Sequence, residues 1–324
     1  MHKVAITGAN GFVGSNMVSE CLSRGWQVTG LVRKGADLSL LPADFKATVI
    51  DYLDTEELKS ALQGNTILVH NAAITRGKNW EEFLRFNIEL TSHIVRAANE
   101  VDSLQQFVFI SSQAASGECD TLTGKREEDE CYPVSYYGKS KLLAEAEVVK
   151  NCRKEWTIIR PASVFGPGDS DFLQYFKLVK RGISLVIGYR PRYISLIPVS
   201  GLTEMVLQTF GNPKAYGEIF FASCSSYYSW DEFINALESA MNRKTIRIRI
   251  PELFVYPVAL FGELKGKLSR RQALINLQKL REMKGRAWIC DTGKARKLLG
   301  FELQRDLKEE LRKTYEWYRG KGWL

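Results

Sequence analysis

No run of ~18 uninterrupted apolar residues occurs in the chain, so no segment reads as a membrane-spanning helix. The six cysteines, Cys21, Cys119, Cys131, Cys152, Cys224 and Cys290, form no C-x-x-C pair and show no metal-ligand spacing. That pattern argues against a disulfide scaffold and against a metal site, and it reads as a reduced, cytoplasmic protein. The N-terminus enters a strand at once, which leaves no room for a signal peptide. Internal repeats and low-complexity stretches are absent. What remains is globular: 45% hydrophobic residues suffice for a core. The 324-residue length suits one large α/β domain, or one with a smaller appendage.

Charge is unevenly placed. From Arg243 onward there are 21 Lys+Arg against 9 Asp+Glu, while the rest of the chain holds 24 against 28. The basic character therefore belongs to the C-terminal quarter. A solvated basic face is the ordinary reading. An anionic substrate or a membrane surface nearby is the sharper one.

The most informative stretch is the first turn. Met1–His2–Lys3–Val4–Ala5–Ile6–Thr7 reads as a buried parallel strand and runs into Gly8–Ala9–Asn10–Gly11–Phe12–Val13–Gly14. A glycine after the strand permits a tight turn, a second lets backbone approach a phosphate, and a third lets the next helix pack closely. The helix from Phe12 to Ser23 then aims free N–H groups at a pyrophosphate. The spacing is G-x-x-G-x-x-G, not the usual G-x-G-x-x-G.

The second strand, Val28–Val32, is followed by Arg33 and Lys34 rather than by an acidic residue. Two cations without a carboxylate favour a 2′-phosphate, hence NADP(H), with NAD(H) as the alternative. Asp51 and Tyr52, after the strand Thr48–Ile50, fall where an adenine would sit. The fourth strand, Ile67–Ala73, ends in Asn71, Ala72 and Ala73, small enough for a cofactor to lie on backbone. His70 in that strand reads as a packed neutral histidine rather than a base. Trp80–Val101 reads as one long helix carrying Asn87, and Phe107–Ile110 as a fifth strand ending in Ser111–Ser112–Gln113. This strand–helix rhythm predicts a doubly wound parallel sheet with its ligands at the strand carboxyl ends.

Tyr137 and Lys141 stand four apart at the head of a helix and so share one face. A free tyrosine has a pKa of ~10, and a nearby ammonium lowers it by stabilising the phenolate. Tyr137 is thus a candidate general acid/base. Tyr136 has Ser140 at that spacing and lacks the cation. Ser112 would add a hydroxyl to polarise a substrate carbonyl.

Together these motifs resemble the extended short-chain dehydrogenases/reductases, the NAD(P)-dependent epimerase/dehydratase superfamily. TGANGFVG is similar to that family's TGxxGxxG turn, and YGKSK carries its YxxxK pair at Tyr137 and Lys141. ISSQAASG resembles its serine strand, with Ser112 as the catalytic serine. Residues 160–169, RPASVFGPGD, resemble its RPxxVYGPGD segment. The resemblance implies catalytic Ser112, Tyr137 and Lys141. It also implies a cofactor held by Gly8, Asn10, Gly11, Phe12, Val13, Gly14, Arg33, Lys34, Asp51, Tyr52, Asn71, Ala72, Ala73 and Asn87. Pro161, Ser163 and Val164 would lie at the nicotinamide end. It further implies a Rossmann domain over 1–160, with 201–222 returning to it, and a smaller, predominantly substrate-binding α+β domain over 161–324. A homodimer through the Asn87 and YxxxK helices is implied as well. The partner is a small-molecule substrate and not nucleic acid.

In the second half, Phe172–Arg181 reads as an amphipathic helix and Ser184–Ile187 as a short strand, with Arg190, Arg192, Tyr189 and Tyr193 in the loop that follows. Ser229 with Glu232 three residues on is a capping box for the helix Ser229–Met241. Ile246, Ile248 and Ile250 alternate with Arg247 and Arg249 as in a half-buried strand. Leu253–Phe261 is strongly apolar and is followed by Lys265, Lys267, Arg270 and Arg271. That suits peripheral contact with a membrane or a pocket for a lipid-like substrate, against the plainer reading of a core helix with a solvated end.

Three functions compete. The first is a reductase or dehydrogenase similar to the 3β-hydroxysteroid dehydrogenase and dihydroflavonol reductase branch, moving a hydride between nicotinamide and a carbonyl or secondary alcohol. The second is a nucleotide-sugar epimerase with tightly bound NAD. Dehydratases of the family carry an Asp–Glu pair after the serine, where this chain has Gln113–Ala114. Many nucleotide-sugar enzymes also carry Asn where this chain has Ser163. The third is a scaffold that has lost catalysis; retention of Tyr137 and Lys141 ranks it last.

Overall fold

Val4, Ala5 and Ile6 have no exposed surface, although Val4 and Ile6 point to one side of their strand and Ala5 to the other. Only a strand covered on both faces buries such a run. The computed structural model describes residues 2–119, 121–251, 254, 257 and 285–324. In chain order the first half gives β1 (Lys3–Thr7), α1 (Phe12–Ser23), β2 (Gln27–Val32), β3 (Thr48–Val49), α2 (Thr55–Leu62) and β4 (Ile67–His70). There follow α3 (Trp80–Phe83), α4 (Leu90–Asn99), β5 (Gln106–Ile110), α5 (Tyr136–Asn151) and β6 (Glu155–Pro161). After β7 (Ser163–Phe165), α6 (Leu173–Lys180), β8 (Ile183–Ile187), β9 (Tyr193–Pro198) and α7 (Val199–Gln208), β10 (Glu218–Ala222) returns to pair with β6.

The main sheet has seven parallel strands in the order β10-β6-β5-β4-β1-β2-β3. The order reverses direction at β1, which lies between β2 and β4. That switch point opens a crevice at the carboxyl ends. Helices α1 and α7 cover one face, with Met17, Val18, Leu202 and Met205 in the core. Helices α2, α4 and α5 cover the other, with Leu58, Ile94 and Val148.

The expected single helix from Trp80 is interrupted. Between α3 and α4 the residues Leu84–Glu89 form a π-helical turn, and Asn87 sits inside it. Such turns insert one extra residue per turn and re-aim side chains, often at functional sites.

The remaining elements are β11 (Tyr227–Ser229), α8 (Trp230–Ala240), β12 (Ile246–Ile250), β13 (Ala287–Trp288) and the helices Gly293–Leu299 and Leu307–Gly320. β9 is the centre of a small sheet with β7, β11 and β13. Phe172, Phe176, Phe233, Leu311 and Tyr318 form a second core beneath it. Ser229 and Glu232 close the capping box on α8. β12 pairs with β8 in a separate two-stranded ribbon. Its alternation is the reverse of a core-facing strand: Ile246 is 74% exposed, whereas Arg247 turns toward Asp231 and Asn235 of α8. The physical reason is that α8 offers acceptors on that side, so the guanidinium groups find partners there. Apart from Phe254 and Pro257, the apolar stretch Leu253–Phe261 and the cations from Lys265 to Arg271 lie outside the described residues.

Candidate active site

Parallel pairing aligns the strand ends. Thr7 is level with Leu31 and His70, His70 with Phe109, and Phe109 with Ile158. The segments that begin at Gly8, Arg33, Asn71, Ser111 and Ala162 therefore leave the sheet along one edge. Gly8 turns the chain at φ +64°, and a Cβ there would lie 2.9 Å from Ala72 Cα. A Cβ on Gly14 would lie 2.2 Å from the Gly8 carbonyl, so α1 reaches the turn only as glycine. Gly11, the N-cap of α1, has a single neighbour at 3.3 Å and leaves its side of the turn open. The first-turn N–H groups of Phe12, Val13 and Gly14 have no partner inside the helix. This arrangement fits a pyrophosphate.

The turn is braced from beneath. Gly8 N–H donates to Tyr52 Oη (3.0 Å), whose hydroxyl donates to the Leu31 carbonyl (2.7 Å). The hydroxyl of Tyr52 is thus committed to the protein. Asn10 is also engaged: its Nδ2 donates to the Asp37 carbonyl and ties down the loop after Arg33 and Lys34, which are exposed. Asp51 is exposed, with its carboxylate accepting from Leu53 N–H.

Sequence reasoning passed over Thr7. Its buried hydroxyl accepts from the N–H groups of Asn71 (3.1 Å) and Ala72 (3.0 Å) and meets His70 Nδ1. His70 Nε2 meets Thr91 Oγ1, and burial holds the imidazole well below its ordinary pKa, with the Lys141 charge adding to the effect. His70 is a neutral structural residue between two hydroxyls. A threonine ending an apolar strand was the only available signal.

Asn87 works as a brace. Its Oδ1 accepts from Ile74 N–H, and its Nδ2 donates to the Ile74 carbonyl and to Ser140 Oγ (2.8 Å). Both amide hydrogens are used internally, so the loop after β4 is fastened to α5. Arg76 in that loop pairs with Asp171 beyond the GPGD segment. Asn16 Nδ2 reaches the Pro167 carbonyl (2.9 Å), and Tyr318 donates to the Asp169 carbonyl (2.7 Å). The Asp169 carboxylate accepts from Asp171 and Phe172 N–H, and burial pushes it up to about 7.

At the head of α5, a Cβ on Gly138 would lie 2.2 Å from the Ala114 carbonyl. Gly138 is therefore what lets the Tyr137 turn pack on the turn that Ser112 caps. Ser112 Oγ accepts from Ala114 N–H (3.1 Å), which leaves its own proton as a donor. Tyr137 is half-buried, whereas Tyr136 turns outward against Trp80. Lys141 is buried, lies 4.1 Å above the Phe109 ring and donates to the Ile110 carbonyl (2.6 Å). Burial pushes its ammonium down to about 7, and the Glu145 charge opposes this. Behind it, Arg160 clamps Glu145 through Nε (3.0 Å) and Nη2 (2.7 Å), and Ser111 donates to the same carboxylate. Pro161 ends β6, and Ser163 and Val164 pair with Leu196 and Ile197 of β9.

A lowered lysine pKa has a stability consequence. Between about 7 and the usual ~10.4 the unfolded chain binds the proton more tightly, so stability rises with pH through that window. Lys141→Met removes this term at the cost of one hydrogen bond to Ile110. The variant without cofactor is expected to melt about 2–6 °C higher at neutral pH, with the gain lost by about pH 10. Thermal unfolding across that range checks this; a lower midpoint at neutral pH would overturn it.

A Rossmann sheet with a glycine-rich turn at its switch point and a Tyr–Lys pair beside it defines a nicotinamide-nucleotide enzyme. The chain belongs to the NAD dependent epimerase/dehydratase family, whose sequence pattern it matches over residues 4–186. It is 32% identical over 279 residues to UDP-glucose 4-epimerase of Vibrio cholerae, covering 82% of each chain. It is 25% identical to ceramide reductase of Caulobacter vibrioides, over 99% of this chain and 96% of that one. Its fold is similar to that of the UDP-glucuronic acid 4-epimerase from Bacillus cereus in complex with UDP-glucuronic acid and NAD. The TM-score is 0.78 at 21% identity, over 98% of this chain and 99% of that one.

Proposed function

We propose that the protein is an NAD(P)-dependent reductase or dehydrogenase acting on a carbonyl or secondary alcohol of a small substrate with an apolar body. The observation that carries this is the exposed pair Arg33 and Lys34 after β2, where a carboxylate would select NAD. Where family dehydratases present two carboxylates, this chain has the buried Gln113 and the half-buried Ala114, which supply no acid and base for eliminating water and so disfavour a dehydratase. Ser163, in place of the asparagine of many nucleotide-sugar enzymes, supports the same reading, as does the match to a ceramide reductase along nearly the whole chain.

In this reading the turn from Gly8 to Gly14 holds the pyrophosphate. Arg33 and Lys34 meet a 2′-phosphate, and Asp51 and the ring of Tyr52 flank the adenine. Asn71 to Ala73 line the ribose side, and Pro161, Ser163 and Val164 the nicotinamide end. Asn87 is assigned a bracing role rather than contact. The nicotinamide, when bound, gives or takes the hydride. Tyr137 delivers the proton to the carbonyl oxygen during reduction and removes it during oxidation. The Ser112 hydroxyl orients that oxygen, and Lys141 stabilises the Tyr137 phenolate once the cofactor shields it from water. Exposed Leu143 and Val149 on α5 suit a homodimer through this helix and α4.

A tightly NAD-bound epimerase is the second reading, favoured by the Vibrio cholerae relative. Denaturing the purified protein and identifying released nucleotide separates the two. An empty protein should bind NADPH at least ~10-fold tighter than NADH, and Arg33→Ala should remove about tenfold of that preference. Retained NAD near one per chain, with conversion of a UDP-sugar, would move the assignment to the epimerase. Tighter NADH binding would overturn the NADP(H) assignment.

A further inference from the structure

The parallel register of the β8–β12 ribbon sets Ile246 beside Ile183, Ile248 beside Leu185, and Ile250 beside Ile187. Six aliphatic side chains therefore share one face. The opposite face is the one that enters the protein. Ser184 and Val186 are buried there, and Thr245 bonds Ser184 and Glu238. Arg247 and Arg249 bond Asp231. A slip of one residue would bury the isoleucines and expose the arginines. Three acceptors on α8 hold the register against that slip. Ile246 is left 74% exposed and Ile248 43% exposed.

The rim of this face is aromatic and cationic. Tyr189 is 69% exposed and Phe254 63% exposed at the end where β8 and β12 finish. Arg190 is exposed beside them, and Arg181, Arg243 and Lys244 are exposed at the other end. Of the six Lys+Arg in residues 181–190 and 243–251, Arg247 and Arg249 are paired with Asp231 on the inner face, which leaves Arg181, Arg190, Arg243 and Lys244 for the rim.

We propose that this outer ribbon face is a docking surface for an anionic lipid bilayer. The six aliphatic side chains enter the interface, Tyr189 and Phe254 lie at the headgroup level, and the rim cations meet acidic headgroups. Charge complementarity selects the lipid surface: a protein partner or second copy would have to supply acidic groups around an apolar centre, whereas an anionic bilayer presents that pattern everywhere. Apolar insertion and headgroup attraction add. The inference does not rest on the proposed reaction.

The test is co-sedimentation of the full-length protein with vesicles of phosphatidylcholine, with and without 30 mol% phosphatidylglycerol. Binding is expected only to the anionic vesicles and should fall steeply as salt is raised. Ile246→Ser/Ile248→Ser should weaken it at least tenfold, and Arg181→Glu/Lys244→Glu by a similar factor. Unchanged far-UV circular dichroism and nucleotide binding would show that each variant is folded. Absence of binding, or equal binding by the isoleucine variant, would overturn the proposal. So would light scattering that shows the same variant dissociating an oligomer while vesicle binding stays nil.

Discussion

Tyr137→Phe is expected to lower kcat by about two to four orders of magnitude and to leave nucleotide affinity nearly intact. The substitution removes one oxygen from a half-buried ring. The packing of α5 on the Ser112 turn depends on Gly138, which is untouched. The loss therefore falls on proton transfer and not on assembly of the site. Steady-state rates with the best carbonyl substrate, together with NADPH titration, measure the two effects separately. A variant with unchanged kcat would remove Tyr137 from the acid/base role. A variant that loses nucleotide binding to the same degree would assign the residue to the cofactor site instead.

Arg160→Met is expected to destabilise the protein by about 3–5 kcal/mol, because it strands the Glu145 carboxylate in a site where both side chains are 3% exposed. Ser111 would remain as a donor, but one hydroxyl cannot replace a two-pronged guanidinium. Adding Glu145→Leu should recover more than half of the loss, since neither member of the pair then remains charged. The Arg160 Nη1 atom already lacks a hydrogen-bond partner among the described residues, so removing the pair also removes that cost. Denaturant unfolding of the two single variants and the double variant, without cofactor, gives the coupling energy. A single-variant cost under about 1 kcal/mol would mean that water reaches Glu145.

The pair also bears on chemistry. Glu145 is the charge that opposes the desolvation of Lys141, and it lies one turn further along α5. In the proposed mechanism, a Glu145 carboxylate held by this clamp favours the cationic form of Lys141 that a Tyr137 phenolate would require.

Residue order alone determined the parallel sheet and the strand ends at which the candidate site lies. Strand, glycine turn and amphipathic helix follow one another locally, and their periodicities are written in adjacent residues. The α8 capping box was legible for the same reason. The Tyr137–Lys141 pair needed only the helical repeat.

What tertiary structure decided were the partners that lie far apart in the chain. Thr7 fastens Asn71 and Ala72, Asn87 spends its amide on Ile74 and Ser140, and Tyr52 gives its hydroxyl to the glycine turn. No local pattern encodes which polar atom will meet which, because burial obliges each to find a partner only after the elements have packed. The direction of β12 was decided in the same way. Alternation tells that a strand has two faces, but the acceptors on α8 chose which face turned inward. The sequence of an alternating strand is symmetric in that respect, and packing is not.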